Sequence, residues 1–163
     1  VYNNQANFLE GAQASGIYIA MANNNSAGAI HDEVGYNFRM PNINAALGLA
    51  QLKKINSFLK AKRKLFQMYY KELKYIKGVS MLKEPENCRS NYWLQTLILD
   101  RNKTSKKNLI LKKLHENEIY CRPVWKLISE LKPYKSCPKM NLTGSKEIYK
   151  KSFNIPSSQD LVL

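Results

Sequence analysis

The sequence predicts an α/β protein of the α+β kind, in which one long helix precedes a small sheet. Apolar residues recur every three to five positions between Ile43 and Leu73, which is typical of an amphipathic helix. Residues 91–99 are aromatic and β-branched, which favours a strand. A helix-like segment and a second short strand near Arg122 follow. The 163 residues are enough for one domain or slightly more.

The long helix is expected over residues 41–77. Pro41 can occupy its first turn, a bend is possible near Asn56, and Gly78 can end it. The later elements are read from periodicity and from turn residues. They are a short strand at 79–83, a strand at 91–99 buried on both faces, a helix at 105–117 capped by Ser105, a strand at 119–124, a helical turn at 127–131 and a short helix at 144–153 before a loop.

The first thirty residues differ in composition from the rest. Residues 1–30 contain neither lysine nor arginine and are rich in asparagine, alanine and glycine. The change at His31 indicates a boundary, and the segment before it stays unassigned. The sequence also lacks an initial methionine, so a fragment with an atypical start is expected. Residues 31–163 then divide into the long helix, about 41–77, and a small domain, about 78–163.

The chain carries a formal charge of +14, with 26 basic and 12 acidic residues. Nucleic-acid binding is the first interpretation of such a charge. It is disfavoured because only five of the 26 basic residues are arginine and the lysines are scattered. Residues 60–64 are expected to form a solvated helix face, and the charge can attract small anions. A non-catalytic basic binding module, or a remnant that only dimerises, remains the alternative function.

Cysteine usage predicts a cytoplasmic protein. Three cysteines, with no secretory signal, indicate a reducing compartment. No Cys-x-x-Cys pair is present and the two histidines lie far apart, so no metal site is predicted. No apolar run approaches the roughly 20 residues that span a membrane, so no membrane partner is expected.

The segment Gly35-Tyr-Asn-Phe-Arg-Met-Pro41 is the most informative. A helix that begins after it exposes unpaired N–H groups, while Asn37 adds an amide and Arg39 a fixed cation. Together they can bind a phosphate or carboxylate. The alternative is structural, with Asn37 capping the loop and Arg39 paired with Asp32 or Glu33.

Residues 31–52 contain the pattern GYNxRMPxxxAAxGxxQL, which resembles the signature of the DegT/DnrJ/StrS sugar aminotransferases. Three later segments agree in order and spacing: Ser90-Asn-Tyr-Trp-Leu94, Cys121-Arg-Pro-Val-Trp125 and Asn154-Ile-Pro-Ser-Ser158. The set is similar to the branch acting on nucleotide-linked 4-keto-6-deoxy-N-acetylhexosamines, of the legionaminic acid or bacillosamine type. The resemblance runs from His31 to about Leu161 and implies the C-terminal third of a fold type I enzyme.

That resemblance implies pyridoxal 5'-phosphate (PLP) as cofactor, glutamate as amino donor and a homodimer with a shared active site. Asn37 would reach the PLP phosphate of the partner subunit, Arg39 would support that anionic site and Tyr36 would pack beside it. Arg122 and Trp125 would line the nucleotide-sugar pocket. Guanidinium groups suit diphosphates, and an indole offers a stacking face.

The family's Schiff-base lysine lies upstream of these motifs, and residues 1–30 contain no lysine. No catalytic residue is therefore assigned, and the isolated chain is expected to be inactive. A dehydratase relative with histidine at the lysine position stays open. The alternative interpretation of Trp125 is packing in the core.

For several other residues a structural role is the stronger interpretation. Tyr92 and Trp93 are more often buried strand residues than ligand contacts. His31 is more often a capped loop histidine, and Cys121 lacks a neighbour that would activate it.

Overall fold

The computed structural model describes residues 39–162, which divide into two units. One unit contains residues 39–52 and 125–142, and the other contains residues 53–124 and 143–162. The second, here called the sheet unit, holds all four strands found within the described residues. Tyr36, Asn37 and the unassigned segment 1–30 lie outside the described residues.

The expected long helix is two helices, α1 (Asn42–Leu52) and α2 (Ile55–Leu73). A turn at Lys53 and Lys54 separates them. The hydroxyl of Ser57 donates to the carbonyl of Lys54 at 2.7 Å, a local bond that competes with regular helix geometry. The interruption therefore falls just before the position where a bend was expected.

The second helix also ends earlier than expected, at Leu73. The N–H of Ile76 donates to the carbonyl of Leu73 at 3.0 Å, which forms a turn after the helix. Gly78 lies in the turn that follows, with φ 92°, a conformation that side chains rarely adopt. It therefore starts the path into the first strand rather than ending the helix.

The sheet unit contains a four-stranded antiparallel sheet in the order β1-β2-β4-β3. Its strands are β1 (Val79–Met81), β2 (Gln95–Leu99), β3 (Arg122–Pro123) and β4 (Ser152–Ile155). Strand β4 was expected to be the end of a helix and a loop. It follows α4 (Thr143–Lys151) directly, is buried along its whole length and pairs on both sides.

Strand β2 begins later than expected, because the backbone N–H groups before it donate hydrogen bonds to nearby side chains. The N–H of Tyr92 donates to Ser90 Oγ and that of Trp93 donates to Asn91 Oδ1, each at 3.0 Å. Such local bonds favour turns over strands, and Tyr92 has φ 46°. Burial then alternates along Gln95–Leu99, so only one face of β2 is fully buried.

The remaining elements also differ at their ends. Helix α3 (Lys107–Glu116) follows a 3₁₀ segment at Arg101–Lys106, so Ser105 does not cap it. The expected strand at 119–124 reduces to β3, since Pro123 has no N–H to donate. The expected turn at 127–131 is present as a 3₁₀ segment. Further 3₁₀ turns follow, and the set is Ile128–Glu130, Lys132–Tyr134 and Gln159–Leu161.

The core of the sheet unit forms where α2 meets one face of the sheet. Phe66 of α2 stacks on Tyr92, with ring centroids 4.2 Å apart. Phe153 of β4 is the largest side chain sealed from solvent within the described residues, with 2% exposed. The cluster also contains Met81, Leu97, Leu99, Leu111, Cys121 and Ile155. The expectation of a helix packed on a small sheet is confirmed.

Candidate functional site

Three of the five predicted site residues lie within the described part of the chain. These are Arg39, Arg122 and Trp125, and each is exposed. Tyr36 and Asn37 lie outside it. Arg39 and Trp125 belong to one unit and Arg122 to the sheet unit, so their surroundings are given separately.

Arg39 precedes helix α1 in a strained conformation. Its φ of 59° lies in the left-handed region, which non-glycine residues seldom occupy and which is often found at functional sites. The carbonyl of Pro41 accepts from the N–H groups of Asn44 and Ala45, at 3.0 and 3.1 Å. The helix begins at Asn42, so the N–H groups of Asn42 and Ile43 come before these bonds and have no acceptor within the helix.

No acidic residue lies in the first turn of α1, so no carboxylate of that turn offsets the positive end of the helix dipole. The Arg39 guanidinium is positively charged as well. Each of these charges favours an anion over a cation.

Arg122 lies on β3, an edge strand of the sheet. Its guanidinium makes no hydrogen bond or ion pair with any residue between 39 and 162. An exposed arginine that no carboxylate neutralises can meet an incoming phosphate or carboxylate bidentately. The neighbouring residue in the sheet is Asn154 of β4, directly opposite Arg122.

Sequence reasoning did not assign Asn154 or Thr96 to the site. Thr96 of β2 lies opposite Asn154, and its hydroxyl donates to Asn154 Oδ1 at 2.8 Å. The three opposed residues form a polar row across one face of the sheet. The available signal was Asn154 itself, the first residue of the Asn-Ile-Pro-Ser-Ser segment, but its strand was not predicted.

Trp125 follows β3 by two residues and is 46% exposed. This exposure disagrees with the alternative that its indole packs in the core. An indole at the surface can offer its face to a base or sugar ring.

Comparison with known proteins identifies the family. The profile of the DegT/DnrJ/EryC1/StrS aminotransferase family matches residues 15–163. The chain belongs to this family. The match begins inside the segment that composition left unassigned.

Two curated relatives illustrate the likeness. GDP-perosamine synthase of Vibrio cholerae is 37% identical over 93 residues, which are 57% of this chain and 25% of that protein. The UDP-4-amino-4,6-dideoxy-N-acetyl-beta-L-altrosamine transaminase of Campylobacter jejuni is 26% identical over 132 residues, 80% of this chain and 35% of that protein. The chain thus spans about a quarter to a third of the curated relatives it matches.

A solved structure shows the fold. The aminotransferase PseC of Helicobacter pylori, involved in the biosynthesis of pseudoaminic acid, superposes with a TM-score of 0.69 at 22% identity. The match covers 94% of this chain and 41% of that one. Within residues 39–162, no helix is long and apolar enough to cross a membrane.

The family-like segment Ser90-Asn-Tyr-Trp is largely structural. Arg63 of α2 forms a two-pronged ion pair with Glu84 and also donates to the carbonyl of Ser90 at 2.8 Å. This pairing lowers the pKa of the Glu84 carboxyl. The Tyr92 ring stacks on Phe66, and the Arg63 guanidinium lies 5.3 Å from the centre of the same ring.

The two aromatic residues of that segment differ in burial. Tyr92 is buried, as expected, but in a turn rather than in a strand. Trp93 is 62% exposed, so the expectation that it is buried is wrong. Its backbone N–H is held by Asn91 in a local turn that precedes the strand, and a strand-like burial pattern therefore does not apply to it.

The Asn-Ile-Pro-Ser-Ser segment joins the end of β4 to α2 and β2. Ser157 Oγ accepts from the N–H of Gln95 at 2.7 Å. Tyr69 donates to the carbonyl of Pro156 at 3.1 Å, and Lys62 donates to the carbonyl of Ser157. Burial lowers the pKa of Lys62. The expectation that residues 60–64 form one solvated face therefore fails at this lysine.

Cys121 is not a nucleophile. Only 2% of it is exposed, and burial raises the pKa of its thiol to about 11. The group stays protonated at neutral pH, where a reactive cysteine would be a thiolate. Its side chain belongs to the core cluster.

Proposed function

We propose that this chain is the C-terminal part of a PLP-dependent nucleotide-sugar aminotransferase. The complete enzyme transfers an amino group from glutamate to the C4 ketone of a nucleotide-linked 4-keto-6-deoxy sugar, with an N-acetylhexosamine as the sugar class. Within this part, residues 78–163 are the small domain and the helices before it are the linking segment. The family match over residues 15–163 is the observation that carries the proposal.

The residues at the start of α1 suit the cofactor's phosphate. Arg39 supplies a permanent cation. Its backbone has a φ of 59°, and this conformation sets the direction in which the side chain projects from the backbone. Asn37 and Tyr36, by resemblance, complete this anionic site from the sequence that precedes Arg39. The family's enzymes use PLP, which stabilises negative charge at the carbon that exchanges the amino group. The chain's own part is to bind and orient the phosphate.

Arg122 and Trp125 bind the nucleotide-sugar. The Arg122 guanidinium is exposed and makes no ion pair between residues 39 and 162, which leaves it available for a diphosphate. Trp125 presents a half-exposed indole for stacking. The net charge of +14 raises the rate of encounter with an anionic substrate, an effect that salt weakens.

The complete enzyme works as a homodimer in the cytoplasm. Helix α1 is an argument for the dimer, because it contains no charged residue and none of its side chains is buried within the described chain. Apolar surface of this kind usually lies in an interface. The lysine that attaches the cofactor lies in the portion of the enzyme that this chain does not cover, so the isolated chain is inactive.

The test uses a restored enzyme, in which a lysine-bearing N-terminal portion from a family member is joined ahead of this chain. With glutamate and a UDP- or GDP-linked 4-keto-6-deoxy sugar, the product should be the 4-amino sugar. Arg122→Ala should raise the substrate KM by roughly 10- to 150-fold, the loss of a hydrogen bond to a charged group. Lys60→Ala removes an equal charge from an exposed position on α2 and is the matched control.

The control separates site contacts from general attraction. Lys60→Ala should change only the salt dependence of substrate capture. If the restored enzyme binds cofactor but forms no amino sugar, the proposed reaction is wrong. If Arg122→Ala behaves like Lys60→Ala at every salt concentration, the substrate does not contact Arg122.

A further inference from the structure

The polar row on the sheet places a buried amide beside the exposed guanidinium. Arg122 lies opposite Asn154, and Asn154 lies opposite Thr96. Directly opposed residues project from the same face, with Cβ atoms about 4.5–5.5 Å apart. One ligand can therefore contact the side chains of both Arg122 and Asn154.

Asn154 is 4% exposed, and its side chain is incompletely satisfied. The bond from Thr96 to its Oδ1 is the only hydrogen bond that this side chain makes among residues 39–162. A carboxamide has two N–H donors in addition to its oxygen. Among residues 39–162, the buried side-chain atoms without a hydrogen-bond partner are Gln95 Oε1 and Ser152 Oγ. The Asn154 nitrogen is not one of them, so its two donors reach the surface, where a ligand can supply the acceptor.

The Thr96 hydroxyl also fixes the direction of those donors. It holds the amide oxygen on the β2 side of Asn154, at 2.8 Å. The nitrogen of a planar amide then turns away from β2. The neighbouring strand on that other side is β3, which carries Arg122.

We infer that Asn154 is a specificity-determining residue that binds the diphosphate of the nucleotide-linked substrate together with Arg122. This inference rests on the proposed function, since it takes Arg122 as a substrate contact. Asn154 donates to one phosphate while the guanidinium binds the other, and Thr96 is a positioning residue. A nucleoside monophosphate can engage only one of the two donors, so the pair favours diphosphates.

The experiment measures binding to the restored enzyme by calorimetry. UDP is compared with UMP, and GDP with GMP. Asn154→Ala should weaken diphosphate binding about tenfold and monophosphate binding by less than about twofold. Ser152→Ala is the matched control, because Ser152 lies two residues away on the same strand and face, is also buried and has a hydroxyl without a partner. It should leave both affinities unchanged.

Thr96→Val keeps the shape of the side chain and removes the hydroxyl that orients the amide. It should weaken diphosphate binding about threefold and reduce the preference over monophosphate. A purely structural role would lower the melting temperature in both variants without changing this preference. That outcome would overturn the inference.

Two further outcomes keep the site and the inference distinct. If Arg122→Ala leaves diphosphate binding unchanged, the proposed substrate site fails and this inference fails with it. If Arg122→Ala weakens binding but Asn154→Ala does not, only this inference fails. Should Asn154→Ala not fold, the side-chain amide resonance of Asn154 in the ¹⁵N-labelled unmutated enzyme decides. A shift with UDP but not UMP supports the role, and no shift rejects it.

Discussion

The two consecutive helices differ in charge and in burial, because the uncharged helix is exposed and the charged helix has a buried face. Helix α1 has no charged residue, yet Ile43 is 78% and Leu47 is 60% exposed, and none of its residues is buried. Helix α2 is rich in lysine, yet it buries Ala61, Leu65 and Phe66. Helix α2 is amphipathic, and its apolar face packs on the sheet of its own chain. A helix that is apolar on all sides is typically buried in the complete molecule.

The largest contrast should appear in stability. Phe66→Ala removes a ring that stacks on Tyr92 at 4.2 Å, and a large-to-small change in a core costs about 3–5 kcal/mol. Leu47→Ala in α1 should cost less than about 0.5 kcal/mol in the isolated chain. Urea unfolding followed by circular dichroism measures both. Equal losses would show that α1 is packed within the chain.

For dimerisation, we expect the reverse order, with a substitution in α1 having a larger effect than one in α2. Leu47→Asp in the restored enzyme should weaken dimerisation at least tenfold, about 1.4 kcal/mol, because it places a charge in an apolar interface. Gln67→Asp, at an exposed position of α2, introduces the same side chain as a control. Sedimentation equilibrium measures the dissociation constants. A dimer that tolerates Leu47→Asp as well as Gln67→Asp would place the interface elsewhere.

Low pH should reduce the stability of the sheet unit without acting directly on α1. This is the smallest of the three expected effects. Arg101 and Lys151 bind Glu147 and lower the pKa of its carboxyl to about 2, from 4.5. Because the folded-state pKa is the lower one, this contribution is present above pH 4.5 and is lost as the pH falls towards 2.

Glu147→Gln should therefore make stability less dependent on pH in that window, as measured by urea midpoints at successive pH values. Glu116→Gln, which removes a carboxylate in a long, exposed pair, should change the profile less. Helix α1 has no titratable side chain, so its helicity should follow acid only through the rest of the protein. An unchanged profile in Glu147→Gln would contradict the pairing.

The elements that the sequence predicted are those whose signal is local. The apolar stripe of α2 is visible because every fourth residue returns to the same face. Strand β4 was missed because Ser152 and Asn154 are polar and Pro156 follows, as in a turn. Its stability comes from pairing with β2 and β3, which lie more than fifty and about thirty residues earlier.

The candidate site divides in the same way. Arg39, Arg122 and Trp125 could be named from motifs, because guanidinium and indole groups have the right chemistry wherever they are exposed. The role of Trp93 was misjudged because a local turn, not a strand, sets its exposure. The pairing of Thr96 with Asn154 depends on strand register, which no local pattern specifies.

The sequence by itself determined the family, the helical period of α2 and the arginines available for an anionic ligand. These properties belong to single residues or to short segments, so they can be read without a fold. Tertiary structure alone decided the strand order β1-β2-β4-β3 and which polar side chains stand beside Arg122. Both arise from contacts between distant segments, whose loop-closure cost is offset only when the whole sheet forms.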